Sequence, residues 1–196
     1  KNSRKEKIME PKTALIVIDV QNDFVLPGAP MSVAGAMAVV PNIKKLLEAF
    51  RRQSLPVFHL VREHRPDGSD VEITRLEDFL ARGPYLTPGT RGCEIVAGLE
   101  PLPGEYRIVK TRFSAFMNTE LDLILRRLKI SRIMVCGVQY PNCVRATIFD
   151  GVALGYNVTL ITDAAAAQTD EIARANIIDI ANIGVTCITT DQAVNS

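Results

Sequence analysis

The sequence predicts an α/β fold, folded as one domain on a mostly parallel sheet with right-handed crossovers. Three observations point there. Strand-like and helix-like segments alternate along the whole chain. The clearest strands, residues 13–20 (TALIVIDV) and 133–138 (IMVCGV), are apolar on both faces, as strands covered by helices on each side must be. A chain of 196 residues with 47% hydrophobic content is also long enough for one sizeable core.

Residues 1–11 are charged and lack an apolar h-region, so they read as a disordered lead-in rather than a secretory signal, with the domain over 12–196. Met9 is a candidate internal start. Residues 13–20 are a β-branched run that ends in an acid, a central strand with Asp19 at its carboxyl end. Asn22, Asp23, Pro27 and Gly28 make the next segment a loop. Residues 42–53 place Ile43, Leu46, Leu47 and Phe50 on one helical stripe. A strand over 56–61 leads into the polar loop REHRPDGSD, and Ser69 is expected to cap a short helix ending near Leu80.

Residues 83–104 are rich in Pro and Gly without a period, a surface excursion of the kind that walls a site. A short strand over 106–110 then runs into TRFSAF. Leu121, Ile124, Leu125 and Leu128 give a helix over 118–128, and Ile172, Ala175, Ile178 and Ile180 give another over 170–182. Strands over 158–162 and 185–189 complete the set.

Composition narrows the function classes. Net charge is +1 and no long basic block exists, so nucleic acid is not an indicated partner. No apolar run approaches the roughly 18 residues of a spanning helix, which excludes a helical membrane partner. The 4 cysteines lie far apart with no CxxC pair, against a zinc site or disulfide framework and for a reducing, cytoplasmic setting. GxGxxG after the first strand and GxxxxGK[ST] anywhere are both missing, so no dinucleotide or P-loop site is expected. No cofactor and no metal are called for.

The chain is organised around residues 133–164. A strand over 133–138 is followed by a tight turn carrying Cys143 and a helix over 144–154. Gly137 loosens the strand end, Pro141 stops the ladder, and Asn142 is expected to cap the helix. Cys143 then sits in the first helical turn, where N–H groups and the macrodipole favour an anion, so its thiol is expected to ionise easily. Cys136, inside the apolar run, reads as core.

A thiol nucleophile needs a proton acceptor and a group that steadies its charge. His59 reads as a satisfied core residue and His64 as a solvated loop group with a minor chance of touching substrate. Asp19 and Lys110 are the better candidates. Asp19 is costly to leave unpaired in an apolar setting. Lys110, which a surface strand could carry harmlessly, gains its case because carboxylate, ammonium and thiol would satisfy one another at one rim of the sheet. A carboxylate can take the thiol proton, while a nearby ammonium lowers the thiol pKa.

The motifs DVQNDF (19–24), KTRFSAF (110–116) and GVQYPNCVRAT (137–147) closely resemble the isochorismatase-like cysteine hydrolases, over about residues 12–191. The resemblance implies a Cys-Asp-Lys triad at Cys143, Asp19 and Lys110. It implies a Rossmann-like three-layer α-β-α domain with a six-stranded parallel sheet in the order 3-2-1-4-5-6. It also implies a cis peptide between Val138 and Gln139, with the N–H groups of Gln139 and Cys143 as oxyanion donors. Family members are commonly dimers or tetramers, so a homodimer or homotetramer is expected.

Departures from the family pattern choose the branch. Relatives that cleave the isochorismate vinyl ether lack the cysteine, so Cys143 places this chain with the C–N hydrolysing enzymes. Nicotinamidases carry an Asp-x-His metal group after the second strand, where this chain has VREHRPDGSD with the single His64. The expected function is therefore cysteine-dependent hydrolysis of a small amide, ureide or related compound through an acyl-enzyme. The alternatives are a catalytically idle binding protein on the same fold, or a vinyl ether hydrolase. Phe24, Arg62, His64, Arg112, Phe113, Phe116 and Tyr140 are the candidate substrate contacts. The aromatics would form a flat slot, or Phe113 and Phe116 are simply core; Arg62 or Arg112 would anchor a substrate carboxylate, or each is a solvated surface charge.

Overall fold

The computed structural model describes residues 12–195; the lead-in expected over 1–11 lies outside them. Strand β1 (Lys12–Ile18) is followed by the single turn α1 (Asn22–Val25) and by α2 (Ala36–Arg52). Next come β2 (Val57–Arg62), α3 (Ile73–Arg82), β3 (Tyr106–Lys110) and α4 (Leu121–Arg127). The chain closes with β4 (Ile130–Val138), α5 (Arg145–Ala153), β5 (Asn157–Ala166), α6 (Asp170–Asn182), β6 (Thr186–Ile188) and α7 (Thr190–Val194). Every ladder is parallel, and the sheet order is β3-β2-β1-β4-β5-β6. The predicted α/β class and sheet order both hold.

Side-chain alternation sorts the core into two halves. Leu15 and Val17 of β1 join Cys136 and Val138 of β4 and the α2 stripe of Val39, Ile43, Leu46, Leu47 and Phe50. Ala14, Ile16 and Ile18 point the other way, toward Leu121 and Leu125 of α4, Ile148 of α5 and Ile180 of α6. Burying both faces is why β1 and β4 read as unbroken apolar runs. Cys136 is fully buried, as expected of a core cysteine.

Several local readings are corrected. The stripe of α2 extends back through Val39 to Ala36, and the helix starts before Pro41. Pro41 lacks the donor for the carbonyl of Met37, but Met37 is exposed and solvent can serve that carbonyl. Ser69 does not cap α3; its N–H bonds Asp67 Oδ1 at 3.0 Å within the turn, and the helix begins at Ile73. On α6 the inward face is Ile172, Ala173, Ile177 and Ile180, while Ile178 is 62% exposed. A period of about 3.6 fits Ala173, Ile177 and Ile180 better than the stripe expected from sequence. The last helix, α7, was not expected; a capping box between Thr189 and Gln192 starts it.

Two further features bear on function, the first of them a correction. A π-helical turn (Tyr140–Val144) precedes α5, and Asn142 lies inside it with no capping hydrogen bond to the helix. The peptide between Val138 and Gln139 is cis. Among the described residues, no helix is long and apolar enough to cross a membrane.

Candidate active site

Four neighbouring strands each bring one side chain to the carboxyl edge of the sheet. In the order β3-β2-β1-β4 these are Lys110 and Arg62 at strand ends, Asp19 just after β1, and Cys143 in the turn after β4. Their ends are level because Arg62 pairs with Lys110 and Ile18 with Gly137 in the ladders. Strand order reverses between β1 and β4, the place where open parallel sheets form a crevice.

Parity explains the lysine. On β3, Arg107 and Val109 face solvent, while Ile108 and Lys110 face inward. Lys110 is 1% exposed, and its Nζ donates to Asp19 Oδ2 at 2.8 Å and to the carbonyl of Arg112 at 3.2 Å. Asp19 is 0% exposed, and its Oδ1 has no hydrogen-bond partner among the described residues. Its backbone takes φ 52°, which turns the chain out of β1. Cys143 is 4% exposed.

Gly137 allows this approach. A Cβ there would lie 2.1 Å from the carbonyl oxygen of Ile18, so only glycine lets the ends of β1 and β4 close up. Thr147, one turn after the thiol, donates to the carbonyl of Cys143 at 2.7 Å and accepts from the N–H of Ala115 at 2.9 Å. It ties the thiol turn to the segment that follows Lys110.

The expected low thiol pKa is overturned. Burial pushes the Cys143 thiol up to about 11, and the carboxylate of Asp19 adds to the rise. Lys110 and Arg62 pull the other way without cancelling these effects. The sulfur sits in a closed core turn rather than at an open helix end, so desolvation of the anion outweighs helix-end stabilisation. The resting thiol is therefore protonated beside a carboxylate with a free oxygen.

Arg62 is 1% exposed and is not the solvated charge the sequence allowed. Its Nη1 lies 3.8 Å from Cys143 Sγ, its Nε donates to His64 Nε2 at 3.1 Å, and its Nη2 donates to the carbonyl of Thr111 at 3.1 Å. The same Nη2 also pairs with Glu72 Oε1. A guanidinium this occupied has no fork left for a substrate carboxylate. Its backbone is held by Gln21, whose side-chain amide donates to the Arg62 carbonyl at 2.8 Å and accepts from its N–H at 2.7 Å.

The remaining predicted contacts divide. Phe113 lies beneath two guanidiniums, Arg62 at 5.1 Å and Arg75 at 4.8 Å from the ring centroid, so it supports cations rather than forming an open slot. His64 is buried rather than solvated, packed edge-on against Phe79 and Tyr85. Burial and the charge of Arg62 lower its pKa. Arg112 is tied to the carbonyls of Asp70 and Thr111, at 2.6 and 2.9 Å. Phe116 stacks on Tyr156, and Phe24 packs into the core half that faces α2. Tyr140 is buried and donates to the carbonyl of Thr162 at 2.8 Å. These last three are structural here. His59 is a core residue, with Nε2 2.9 Å from Glu105 Oε2.

Sequence reasoning passed over Gln21, Glu72, Arg75 and Thr147. Gln21 and Thr147 lie inside the quoted motifs, one at i+2 from Asp19 and the other at i+4 from Cys143, and those spacings were their signal. The rest of DVQNDF fastens the 83–104 excursion to β1. Asp23 Oδ2 accepts from the N–H of Leu86 at 2.7 Å, and Asn22 Nδ2 donates to the carbonyl of Arg91 at 2.7 Å. Glu72 and Arg75 carried no signal, because their role depends on where α3 settles.

A model of the isochorismatase domain matches residues 13–192. The chain belongs to the isochorismatase family. It is 48% identical over 177 residues to a probable inactive nicotinamidase of Arabidopsis thaliana, covering 88% of this chain and 90% of the relative. It is 33% identical over 194 residues to a ureidoacrylate amidohydrolase of Caulobacter vibrioides, covering 88% and 85%. The crystal structure of an isochorismatase family protein from Desulfovibrio vulgaris superposes with a TM-score of 0.90 at 50% identity, over 95% of this chain and 100% of that one. The isochorismatase family thus includes hydrolases of C–N compounds.

Proposed function

We propose that this isochorismatase-family chain is a cysteine-dependent hydrolase of a small amide, ureide or related C–N compound. The observation that carries the reading is a buried thiol grouped with a buried carboxylate that has one oxygen fixed by an ammonium and the other without a hydrogen-bond partner among the described residues. As Cys143 Sγ attacks the substrate carbonyl, its proton passes to Asp19, and Lys110 steadies the charge that the pair shares. The oxyanion forms against the N–H groups of Gln139 and Cys143. Collapse breaks the C–N bond, and Asp19 returns the proton to the departing nitrogen. Water then gives a proton to Asp19 and attacks the acyl-enzyme, and the proton returns to the sulfur as the acid leaves. Neither metal nor cofactor enters these steps. The enzyme works in the cytoplasm as a homodimer or homotetramer.

The test is Cys143→Ala. Hydrolysis of amides and ureides should vanish while the melting temperature stays near that of the parent. Full hydrolysis by that variant overturns the reading. With a slow substrate, intact mass should show an acyl adduct confined to Cys143.

A second reading, a binding protein that does not turn over, draws on the depth of the thiol, 4% exposed with its pKa raised. Single-turnover mixing separates the two. Formation of an acyl adduct excludes the idle protein, and tight binding without an adduct excludes the hydrolase.

A further inference from the structure

Most charges around the thiol cancel in pairs. Asp19 is matched by Lys110 and Glu72 by Arg62. On the covering helix α3, Asp78 is matched by Arg82 at 2.6 Å. Arg75, in the first turn of that helix, faces no carboxylate within ion-pair distance among the described residues. It is nevertheless held in place. Its guanidinium lies 4.8 Å from the centroid of the Phe113 ring. With the Asn142 amide turned so that Oδ1 faces it, Arg75 Nη2 donates to that oxygen at 3.1 Å. Asn142 immediately precedes Cys143.

We infer that Arg75 is the residue that selects substrate: it reads a carboxylate on the amide or ureide whose carbonyl Cys143 attacks. This rests on the hydrolase reading and names the substrate class within it, a small amide or ureide that carries a carboxylate. The chemistry fits the group. A guanidinium presents parallel donors that match a carboxylate, and its remaining N–H groups point at no other acceptor among the described residues. The aromatic face beneath it and the amide beside it hold the fork before substrate arrives, which lowers the ordering cost of binding. Of the cations the sequence suggested for this task, Arg62 has its Nε and Nη2 engaged elsewhere, and Arg112 has its Nη1 tied to the carbonyls of Asp70 and Thr111.

The test uses two alkylating reagents that differ in charge, iodoacetate and iodoacetamide, with the modified site identified by peptide mass. The measured quantity is the ratio of the iodoacetate rate to the iodoacetamide rate at Cys143. The half-buried Cys187 on β6 is read in the same digest as a reference. Arg75→Gln should lower the Cys143 ratio on the order of 10-fold, the size of one charged hydrogen bond. Arg75→Lys should restore part of it, and the Cys187 ratio should not move. In turnover, Arg75→Gln should lower the preference in kcat/KM for a carboxylated amide over its neutral methyl ester by a similar factor, mainly through KM. An unchanged ratio with Cys143 still labelled removes the Arg75 subsite and leaves the nucleophile standing. Failure of both reagents to label Cys143 at any pH up to 11 overturns the nucleophile, and with it the subsite.

Discussion

Lys110 Nζ donates to Asp19 Oδ2 at 2.8 Å, while Oδ1 of the same buried carboxylate has no partner among the described residues. One oxygen is fixed and the other is free to take a proton, as a base for the Cys143 thiol requires. The same carboxylate also raises the thiol pKa. In the proposed mechanism its two effects on Cys143 therefore oppose one another: it discourages the resting thiolate and would take the thiol proton during attack.

Asp19→Asn should separate these effects. With the negative charge gone, Lys110 and Arg62 act on the sulfur alone, so alkylation of Cys143 should titrate below the parent value of about 11. Hydrolysis should nevertheless fall by roughly 100- to 10,000-fold, the contribution of a positioned base. Alkylation rates against pH, set beside kcat/KM, decide it. A variant that keeps its hydrolytic rate would show that Asp19 only tunes the thiol.

Arg62 and Glu72 make a pair in which the arginine is 1% exposed and touches the thiol, so removing one partner should cost far more than removing both. Arg62→Leu should lower stability by roughly 3 kcal/mol, because it strands a largely buried carboxylate. The double variant Arg62→Leu/Glu72→Leu should recover most of that loss. Denaturant midpoints for the full cycle give the coupling, and simple additivity would exclude a working pair.

The fold was legible because its strands are apolar on both faces and its helices carry stripes, and those patterns follow from burial alone. Asp19 was legible because an acid after an apolar strand is costly unless used, Cys143 because it sits in a polar turn at a helix start, and Lys110 only through the partners it could find at the same rim. Side chains whose position depends on a loop were not legible. His64 read as solvated, and Arg62 as a substrate anchor or a solvated charge, yet α3 and the 83–104 excursion bury both. The thiol pKa was misjudged because proximity to a helix end is visible in sequence and the depth of burial is not. Arg75 gave no signal, since an arginine on a short amphipathic helix is ordinarily a solvated one.

Stability should decline on mild acidification. Burial lowers the pKa of both His59 and His64 from the ordinary 6.5. In the unfolded chain these rings take protons near pH 6.5, while in the native protein they stay neutral to lower pH. The unfolded state therefore binds more protons in that window. The contribution is complete above pH 6.5 and is lost as pH falls through 6.5 toward the native values. Burial opposes ionisation of Glu105, yet hydrogen bonds from Arg51, the Leu102 N–H and His59 hold its carboxyl at about 2, so its own contribution fades only below about pH 4.5. Midpoints of urea unfolding should drop between pH 7 and 5, and His59→Leu should flatten the slope. A parent midpoint that does not move across that interval would contradict the burial of these rings.

Gly137→Ala should be the most damaging small substitution near the site. An added Cβ would lie 2.1 Å from the carbonyl oxygen and 2.6 Å from the nitrogen of Ile18, and φ at this residue is 117°. Both obstacles are backbone atoms of a central strand held by ladders on either side, so neither can rotate away. A left-handed φ adds its own penalty for any residue with a Cβ. The expected loss exceeds about 4 kcal/mol, or no folded protein is recovered. Gly92→Ala is the matched control. Its Cβ would meet Asp23 Oδ1 at 2.2 Å, but that obstacle is a side chain able to turn aside at the price of its hydrogen bond to Leu86. The control should lose roughly 1–3 kcal/mol and stay folded. Equal losses in the two variants, or a loss below about 1 kcal/mol for Gly137→Ala, would refute close backbone contact between β1 and β4 as the feature that sets Asp19 beside Cys143.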